Sequence, residues 1–470
     1  MNIRNLLILI YIIVVLPFSF LIHLGSASQA INASHPLPYV SAKMEKPQFW
    51  FNKITNPRHP LLKPEEIEKI NENNLKRKDF YLFSLPDLQE ELSKEELLAY
   101  LKEDWDAFAN LGEVRYGRDG HPLGKSFWDE LKDNLNQELM KEKNNTRYGL
   151  IVKRTDVRVF PTEEQSTATP SQNGFDRFQH SAISPGSLVG IYHVSKDNRW
   201  TYVQTQFIRG WVQTTALAIA KERKEALEYQ EAKERLVITG SFVKVFGDPA
   251  LRQVIFLAQM GNVFPLLTRP VQGGTGEPCY VIRIPVREDS GQLGFGKGFL
   301  PGNADAHEGF LPYTQENVAR QAFKMLHEPY GWGDMFEARD CSRFIMDVFA
   351  SFGIVMPRNS TFQGKVGRDL GEIDGKSMKE KKMILDRAVP LATVLRLPGH
   401  IMLYLGKDRG RYYAIHNIWG IEKGRSSNRL LEKIAKVEVS DLSLGEPGPH
   451  GSLLQRITDA RFIGTNVPPQ

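Results

Sequence analysis

The chain contains little cysteine, with only Cys279 and Cys341 among its 470 residues. Two cysteines form at most one disulfide, which excludes a small fold stapled by several bridges. Cys279 lies in an apolar run typical of a core strand, whereas Cys341 begins a helical pattern. We interpret Cys341 as a reactive thiol. A Cys279–Cys341 bridge and two buried thiols are the alternatives.

Several ligand signatures are absent as well. Close pairs of metal ligands, such as Cys-x-x-Cys or His-x-x-x-His, do not occur, so we expect no metal and no cofactor. Gly294-x-Gly296-x-Gly298 lacks the Lys-Ser/Thr of a phosphate loop, so we expect no nucleotide. The formal charge of +5 is not gathered into a basic stripe, which argues against nucleic acid and fits weak attraction to a polyanionic surface.

The first 28 residues have the pattern of a secretory signal peptide. Arg4 precedes an almost wholly apolar run from Leu6 to Leu24, and small residues follow that run. The run is long enough that an uncleaved membrane anchor is the alternative. The sequence therefore predicts an exported protein of the periplasm or cell envelope.

The composition and periodicity of the remaining chain change several times, which predicts a multidomain α+β protein. Residues 29–60 are rich in Pro and Asn and indicate a linker or arm, and residues 61–145 have helical periodicity. Residues 146–220 and 236–310 contain short strand-like runs separated by turns, which favours two small barrels. Residues 312–470 mix helices and strands.

The position of Cys341 at a helix start predicts its reactivity. Asp340 has the residue type and place of a helix cap, so Cys341 falls in the first turn. The partial positive charge of a helix N-terminus stabilises a thiolate, and on this ground we expect a lowered thiol pKa.

Two histidines follow Cys341 on strand-like segments. His400 begins an apolar run to Gly406, and His416 ends a run from Tyr412, with a turn between the two runs. If the strands pair in a register with an even sum of residue numbers, both histidines lie on one face of the sheet. The arrangement would then supply a nucleophile, a base and a group that orients the base.

At these residues the sequence resembles the NlpC-type cell-wall cysteine peptidases of bacteria. The matching segments are Tyr330-Gly331-Trp332-Gly333, Asp340-Cys341-Ser342, Pro357-Arg358-Asn359-Ser360 with Gln363, Gly399 to Gly406, and Ile415-His416-Asn417. The layout resembles the branch in which a helical domain and two SH3-like barrels precede a papain-like peptidase domain.

The resemblance implies hydrolysis of the γ-D-glutamyl–diaminopimelate (or lysine) bond in stem peptides of peptidoglycan or in murein fragments. Cys341 would attack the carbonyl carbon, and His400 would act as base and then as acid. His416 would orient His400, and Tyr330 would help to polarise the scissile carbonyl.

The resemblance also implies a preference for stems with a free N-terminal L-alanine. Asp340 would meet that ammonium group, and Ser342 and Ser360 would lie near the D-glutamate carboxylate. Tyr202, in the first predicted barrel, is a candidate for the wall that blocks longer substrates.

Two positions depart from the family pattern. Arg343 replaces a small residue after Asp-Cys-Ser and is expected to alter the charge of the cleft, and Asp334 replaces a second glycine after Gly333. The alternatives are an amidase that cuts between muramic acid and L-alanine, and a non-catalytic protein that binds the cell wall.

Overall fold

The structure is a computed structural model that describes residues 31–32, 35–109, 112–170, 174–270, 278–423 and 430–465. The predicted signal peptide, residues 1–28, lies outside these ranges. Within them, no helix combines the length and apolar character needed to cross a membrane.

The chain groups into two compact units. The first contains residues up to Phe80, Phe310–Gly331 and the chain from Glu337 onward. The second contains Tyr81–Gly309 and Trp332–Phe336. The predicted helical segment, residues 61–145, is thus shared between the units, and the predicted domain boundaries stay predictions.

The strands run in chain order from β1 to β23. Their bounds are β1 Ile31–Asn32, β2 Glu91–Ser93, β3 Lys143–Asn145, β4 Arg147–Ile151, β5 Thr155–Arg158, β6 Gln179–Ile183, β7 Leu188–Val194, β8 Trp200–Gln204, β9 Arg209–Gln213, β10 Leu217–Ile219, β11 Arg235–Ile238, β12 Phe242–Phe246, β13 Val254–Gln259, β14 Val263–Thr268, β15 Cys279–Arg287, β16 Leu293–Pro301, β17 Ala306–Glu308, β18 Arg368–Asp369, β19 Thr393–Leu397, β20 His400–Asp408, β21 Arg411–Lys423, β22 Leu430–Asp441 and β23 Asp459–Phe462.

The α-helices are short to medium in length. They cover Pro47–Phe51, Pro64–Lys76, Lys94–Phe108, Lys125–Asn134, Arg223–Gln230, Gln315–Lys324, Cys341–Ala350, Ser360–Gln363, Met378–Leu385 and Leu453–Arg456. Single 3-10 turns occupy Ala42–Glu45, Lys78–Phe80, Leu85–Asp87, Gln137–Leu139 and Thr214–Ala216. Trp332–Glu337 is a kinked segment whose middle residues are not helical.

The first unit is built on one sheet with the strand order β1-β22-β21-β20-β19-β23-β18. The helix Cys341–Ala350 packs against β20 and β21. Its apolar stripe of Phe344, Ile345, Val348 and Phe349 is fully buried, as the helical spacing predicts. The helix is therefore held against the strands that carry the two histidines.

The described part of the predicted arm packs on this unit. The Tyr413 hydroxyl donates to the Tyr39 carbonyl oxygen at 3.0 Å, and the Trp50 ring lies 5.3 Å from the Tyr413 ring. Trp50 is buried and donates its indole N–H to the Met44 carbonyl oxygen at 2.7 Å. The arm thus has a packed core of its own against β21.

The second unit contains two seven-stranded sheets. Their strand orders are β10-β4-β7-β8-β9-β5-β6 and β13-β12-β16-β15-β14-β11-β17. In the first of these sheets the sequence analysis missed β6 and β10. The helix Lys94–Phe108 starts with a capping box, in which Ser93 accepts from the Glu96 N–H at 3.2 Å.

The helices of residues 94–134 do not enclose a core of their own. Leu97, Leu101 and Leu131 share one buried cluster with Trp200 and Trp211 of the first sheet. Burying the apolar face of a helix requires a partner surface. Here the sheet provides that surface.

The glycine-rich stretch, residues 291–302, contains a strand. β16 pairs antiparallel with β15 along its whole length, and Gly298 stands opposite Ile282. A β-carbon at Gly298 would lie 2.8 Å from Val245 Cγ1, closer than such carbons normally approach. Glycine is therefore required there by packing between neighbouring side chains.

Adding a methyl group at Gly298 should destabilise this sheet. We expect Gly298→Ala to cost about 1–3 kcal/mol, because overpacking displaces its neighbours. Gly294→Ala is the matched control on the same strand, since its β-carbon would meet the mobile end of Glu288 at 3.1 Å. Calorimetric unfolding of both variants makes the comparison, and equal transition temperatures would contradict the packing argument.

Candidate active site

The Cys341 thiol lies at the start of its helix, as predicted. Asp340 caps the helix by accepting from the Arg343 N–H at 2.8 Å, and Cys341 is the first helical residue. Cys341 is 7% exposed, and the backbone N–H of Ile401 donates to its sulfur. This contact places the thiol at the beginning of β20, where Ile401 follows His400 in the chain. Both cysteines are free thiols.

The register of β20 and β21 meets the condition set by the sequence. Leu403 stands opposite Ile415 and Tyr404 opposite Ala414, which gives an even sum. His400 and His416 therefore lie diagonally on one face of the sheet. Their side chains meet, with His400 Nε2 2.5 Å from His416 Nδ1.

The contact continues to a third residue that the sequence analysis did not single out. His416 Nε2 lies 2.8 Å from the Ser440 hydroxyl on β22, and both residues are fully buried. Alternation in Val437-Glu438-Val439-Ser440 marked this segment as a strand. Only its pairing with β21 shows that Ser440 reaches His416.

Burial keeps this group of side chains uncharged. Desolvation, followed by the nearby Asp340 carboxylate, raises the pKa of the Cys341 thiol to about 12. Desolvation and then the neighbouring His416 hold the pKa of His400 well below its usual value. Desolvation lowers the pKa of His416 to about 3. The free protein therefore rests with a neutral thiol and a neutral imidazole.

The direction of the Cys341 shift differs from the sequence prediction. The helix N-terminus favours the thiolate, and so do the Ile401 N–H and Arg358. Loss of water around the sulfur and repulsion from Asp340 outweigh these effects. These influences together favour the protonated thiol in the free protein.

Asp340 is held by a buried arginine. Arg358 donates to both carboxylate oxygens of Asp340, at 2.6 and 3.1 Å, and to the Ser342 hydroxyl at 2.7 Å. Ser342 in turn donates to Asp340 at 2.9 Å. Asp340 and Ser342 are thus brought together as predicted. Their roles toward a substrate stay predictions.

A second buried ion pair holds the segment before the helix. Asp347 accepts from Arg339 Nε at 2.6 Å and from Arg343 Nε at 2.7 Å. Arg343 is buried and paired within its own helix, which corrects the expectation that it alters the charge of the cleft. The long side chain of Arg343 is accommodated in place of a small residue because Asp347, one helical turn later, neutralises its charge.

The remaining predicted residues lie on neighbouring loops. Tyr330 is half-buried and packs edge-on against Trp419, and its N–H donates to the Ala435 carbonyl oxygen at 2.9 Å. Ser360 is half-buried and begins the short helix Ser360–Gln363. Gln363 donates to the Ser342 and Pro357 carbonyl oxygens, both at 2.8 Å, which ties that short helix to the cap of the Cys341 helix.

Tyr202 is not placed as the sequence analysis expects. Its side chain is fully buried in the second unit, and its hydroxyl donates to Asp104 at 2.8 Å. A ring without exposed surface cannot form the wall of a substrate cleft. Tyr202 is therefore a core residue. The expectation failed because alternation along β8 does not reveal that helix Lys94–Phe108 covers this face.

Asp334, the other departure from the family pattern, has a local explanation. The residue adopts a left-handed conformation with φ of 65°, which aspartate tolerates better than most residues. Its carboxylate accepts from the Ser181 hydroxyl at 3.0 Å, and its carbonyl oxygen accepts from Arg154 at 2.8 Å. These contacts lie within the second unit. They hold Asp334 in a backbone conformation that glycine would adopt more easily.

Two protein families match parts of the chain. Residues 327–434 match the NlpC/P60 family, and residues 166–213 match an SH3 domain of the SH3b1 type. No curated protein matches the chain.

One solved structure shares the fold, and a second is less similar. An NlpC/P60 endopeptidase from Photobacterium damselae subsp. piscicida matches with a TM-score of 0.73 and 18% identity, over 93% of this chain and 100% of its own. An NlpC/P60 family protein from Bacillus cereus ATCC 10987 matches with a TM-score of 0.46 and 16% identity, over 68% of this chain and 100% of its own.

The NlpC/P60 match includes Cys341, His400 and His416. The chain thus carries a papain-like cysteine peptidase domain of the NlpC/P60 family, with an SH3 domain before it. The resemblance to NlpC-type peptidases is confirmed, together with one SH3 domain.

The raised thiol pKa predicts slow alkylation at neutral pH. In a Cys279→Ser chain, Cys341 is the sole thiol, and we expect its reaction with iodoacetamide to accelerate steadily with pH beyond 9, the ordinary value for cysteine. A raised pKa leaves little thiolate below that pH. The rate is followed by intact mass, with a denatured sample as the reference. A rate that is already constant from pH 6 to pH 8 would show a stable thiolate instead.

Proposed function

We propose that this protein is a peptidoglycan endopeptidase that hydrolyses the γ-D-glutamyl–diaminopimelate (or lysine) bond of stem peptides. The observation that carries the proposal is the relay from His400 to His416 to Ser440, at the strand end where Ile401 contacts the Cys341 sulfur. The NlpC/P60 match supports cell-wall peptide as the substrate class.

The relay fixes which nitrogen is the base. His400 Nε2 is engaged with His416, so Nδ1 is the nitrogen left for the thiol. For Nδ1 to accept a proton, Nε2 must carry hydrogen and donate it to His416 Nδ1. His416 then carries its own hydrogen on Nε2 and donates it to Ser440. Each hydrogen bond thus supports the tautomer that the reaction needs.

The reaction follows from this arrangement. Cys341 attacks the scissile carbonyl carbon while His400 Nδ1 takes the thiol proton. Backbone N–H groups of the first helical turn and the Tyr330 hydroxyl stabilise the oxyanion. His400 then protonates the departing diamino-acid nitrogen. Water, activated by the same imidazole, hydrolyses the thioester and regenerates Cys341.

Asp340 is the proposed contact for the free ammonium of L-alanine. Arg358 already holds both oxygens of Asp340, which fixes the plane of the carboxylate. An incoming ammonium group would share that carboxylate with the guanidinium group, using the remaining lone pairs. Ser342 and Ser360 are proposed to lie near the D-glutamate carboxylate.

The place of action is proposed to be the periplasm or cell envelope. The apolar run of residues 6–24 supports export. The SH3 domain and the mild positive charge support attachment to peptidoglycan, a polyanionic polymer.

A defined peptide tests the bond and the preference together. We expect the protein to cleave L-Ala-γ-D-Glu-diaminopimelate and to leave the N-acetylated peptide intact, because acetylation removes the ammonium group that Asp340 would bind. Cys341→Ala should abolish cleavage, since no other group there is a nucleophile of comparable strength. Mass spectrometry identifies the products.

The other outcomes are equally informative. Cleavage of both peptides would retain the endopeptidase and reject the role of Asp340. Release of intact peptides from glycan strands would identify an amidase. Binding to sacculi with no product of either kind would identify a non-catalytic wall-binding protein.

Ser440 is expected to act through His416 as a positioning residue. Ser440→Ala should lower kcat about 10-fold and leave KM nearly unchanged, by analogy with outer hydrogen-bond partners of other active-site histidines. Ser440→Thr, which retains the hydroxyl, should restore most of the loss.

Ser443→Ala is the control for this prediction, because the Ser443 hydroxyl contacts Asp441 instead of a histidine. An equal loss of kcat in the Ser440 and Ser443 variants, or no recovery with threonine, would show that Ser440 is only part of the packing.

A further inference from the structure

A group of metal-ligating side chains lies in the first unit, apart from the Cys341 site. One ligand atom from each of His35, Glu45 and His327 lies within 4.8 Å of the other two. The residues come from the arm, from its 3-10 turn and from the loop before Tyr330. Their sequence separation explains why the search for close ligand pairs found nothing.

Backbone contacts fix the three positions. The His327 N–H donates to the Val437 carbonyl oxygen at 2.9 Å, and the Val437 N–H donates to the Glu328 carbonyl oxygen at 2.9 Å. His327 is thus held along the edge of β22. Glu45 ends the turn Ala42–Glu45, whose Met44 carbonyl oxygen accepts from the buried Trp50.

A second carboxylate stands behind both imidazoles. Glu438 Oε1 lies 3.3 Å from His35 Nδ1 and 3.5 Å from His327 Nδ1, and its side chain is 1% exposed. Histidines that bind metals commonly donate the hydrogen of their other nitrogen to a carboxylate, which fixes the ring and raises its basicity. Glu438 Oε1 lies near the Nδ1 atoms of both rings, while His35 Nε2 faces Glu45.

The distance between His35 and Glu45 fits a small tetrahedral ion. His35 Nε2 lies 3.2 Å from Glu45 Oε1. Two ligands bound at about 2.0–2.1 Å in tetrahedral geometry lie about 3.3 Å from each other. Two imidazoles and one carboxylate form a donor set that suits zinc, whereas magnesium and calcium prefer oxygen ligands.

We propose that His35, Glu45 and His327 bind a zinc ion, with Glu438 orienting the two histidines. The His35 and His327 side chains are 36% and 41% exposed, so an ion can enter from solvent and water can complete the coordination. Lys436 Nζ, 2.8 Å from Glu438 Oε1, balances the charge of that carboxylate.

The role of the ion is structural. It joins the arm to the loop of His327, which is hydrogen-bonded to β22, the strand that carries Ser440. On β22, Glu438 stands directly opposite His416 of β21. Fixing this edge holds β22 in place behind the histidine relay. The Cys341 site shares none of the three ligands, so the zinc site is independent of the proposed catalytic chemistry.

Zinc binding is tested on the full chain with Cys341→Ala, which removes the thiol as a competing ligand. We expect one equivalent of zinc in competition with a chromogenic chelator, and a rise in the unfolding temperature when zinc is added. His35→Ala and His327→Ala should each abolish both effects. Glu438→Gln should weaken binding about 10- to 100-fold. His59→Ala, an exposed histidine outside the cluster, should change neither.

Three results would overturn the proposal. They are no bound zinc in the Cys341→Ala chain, one equivalent that survives both His35→Ala and His327→Ala, and binding that leaves the unfolding temperature unchanged. Circular dichroism of each variant without zinc confirms that it is folded, so that loss of binding is not mistaken for unfolding.

Discussion

The register between β20 and β21 is the constraint on which the candidate site depends. Because side chains alternate across a strand, a slip of one residue would send His400 and His416 to opposite faces. The even-sum register over Leu403 and Tyr404 keeps them together. The irregularity that follows, before Gly406, lies beyond the histidines and leaves their pairing intact.

Buried charge pairs hold the other side of the site. The helix of Cys341 begins between Arg339 and Arg343, both paired with Asp347, and its cap residue Asp340 is paired with Arg358. A buried charge is tolerated only when it is paired and hydrogen-bonded. These ion pairs therefore restrict the position of the helix start. The thiol is thereby fixed relative to β20.

Much of this structure could be predicted from local sequence patterns, whereas contacts between distant segments could not. The capping residues Ser93 and Asp340 and the strand of His400 follow from neighbouring residues, so they could be read from the sequence. Ser440, Arg358 and the burial of Tyr202 depend on segments far away in the chain. The His35, Glu45 and His327 cluster belongs to the same class, since no spacing rule connects an arm to a loop after residue 320.

The thiol pKa shows the same limit in energetic form. A helix N-terminus is visible in the sequence, and its stabilisation of an anion is about 0.3–1 kcal/mol at exposed sites. Desolvation is not visible in the sequence, yet it is the largest influence on Cys341 and acts in the opposite direction. A buried thiol near a neutral imidazole becomes reactive only when a substrate carbonyl carbon is present for the sulfur to attack. Burial thus favours the protonated thiol over a standing thiolate, and a protonated thiol is less readily oxidised than a thiolate.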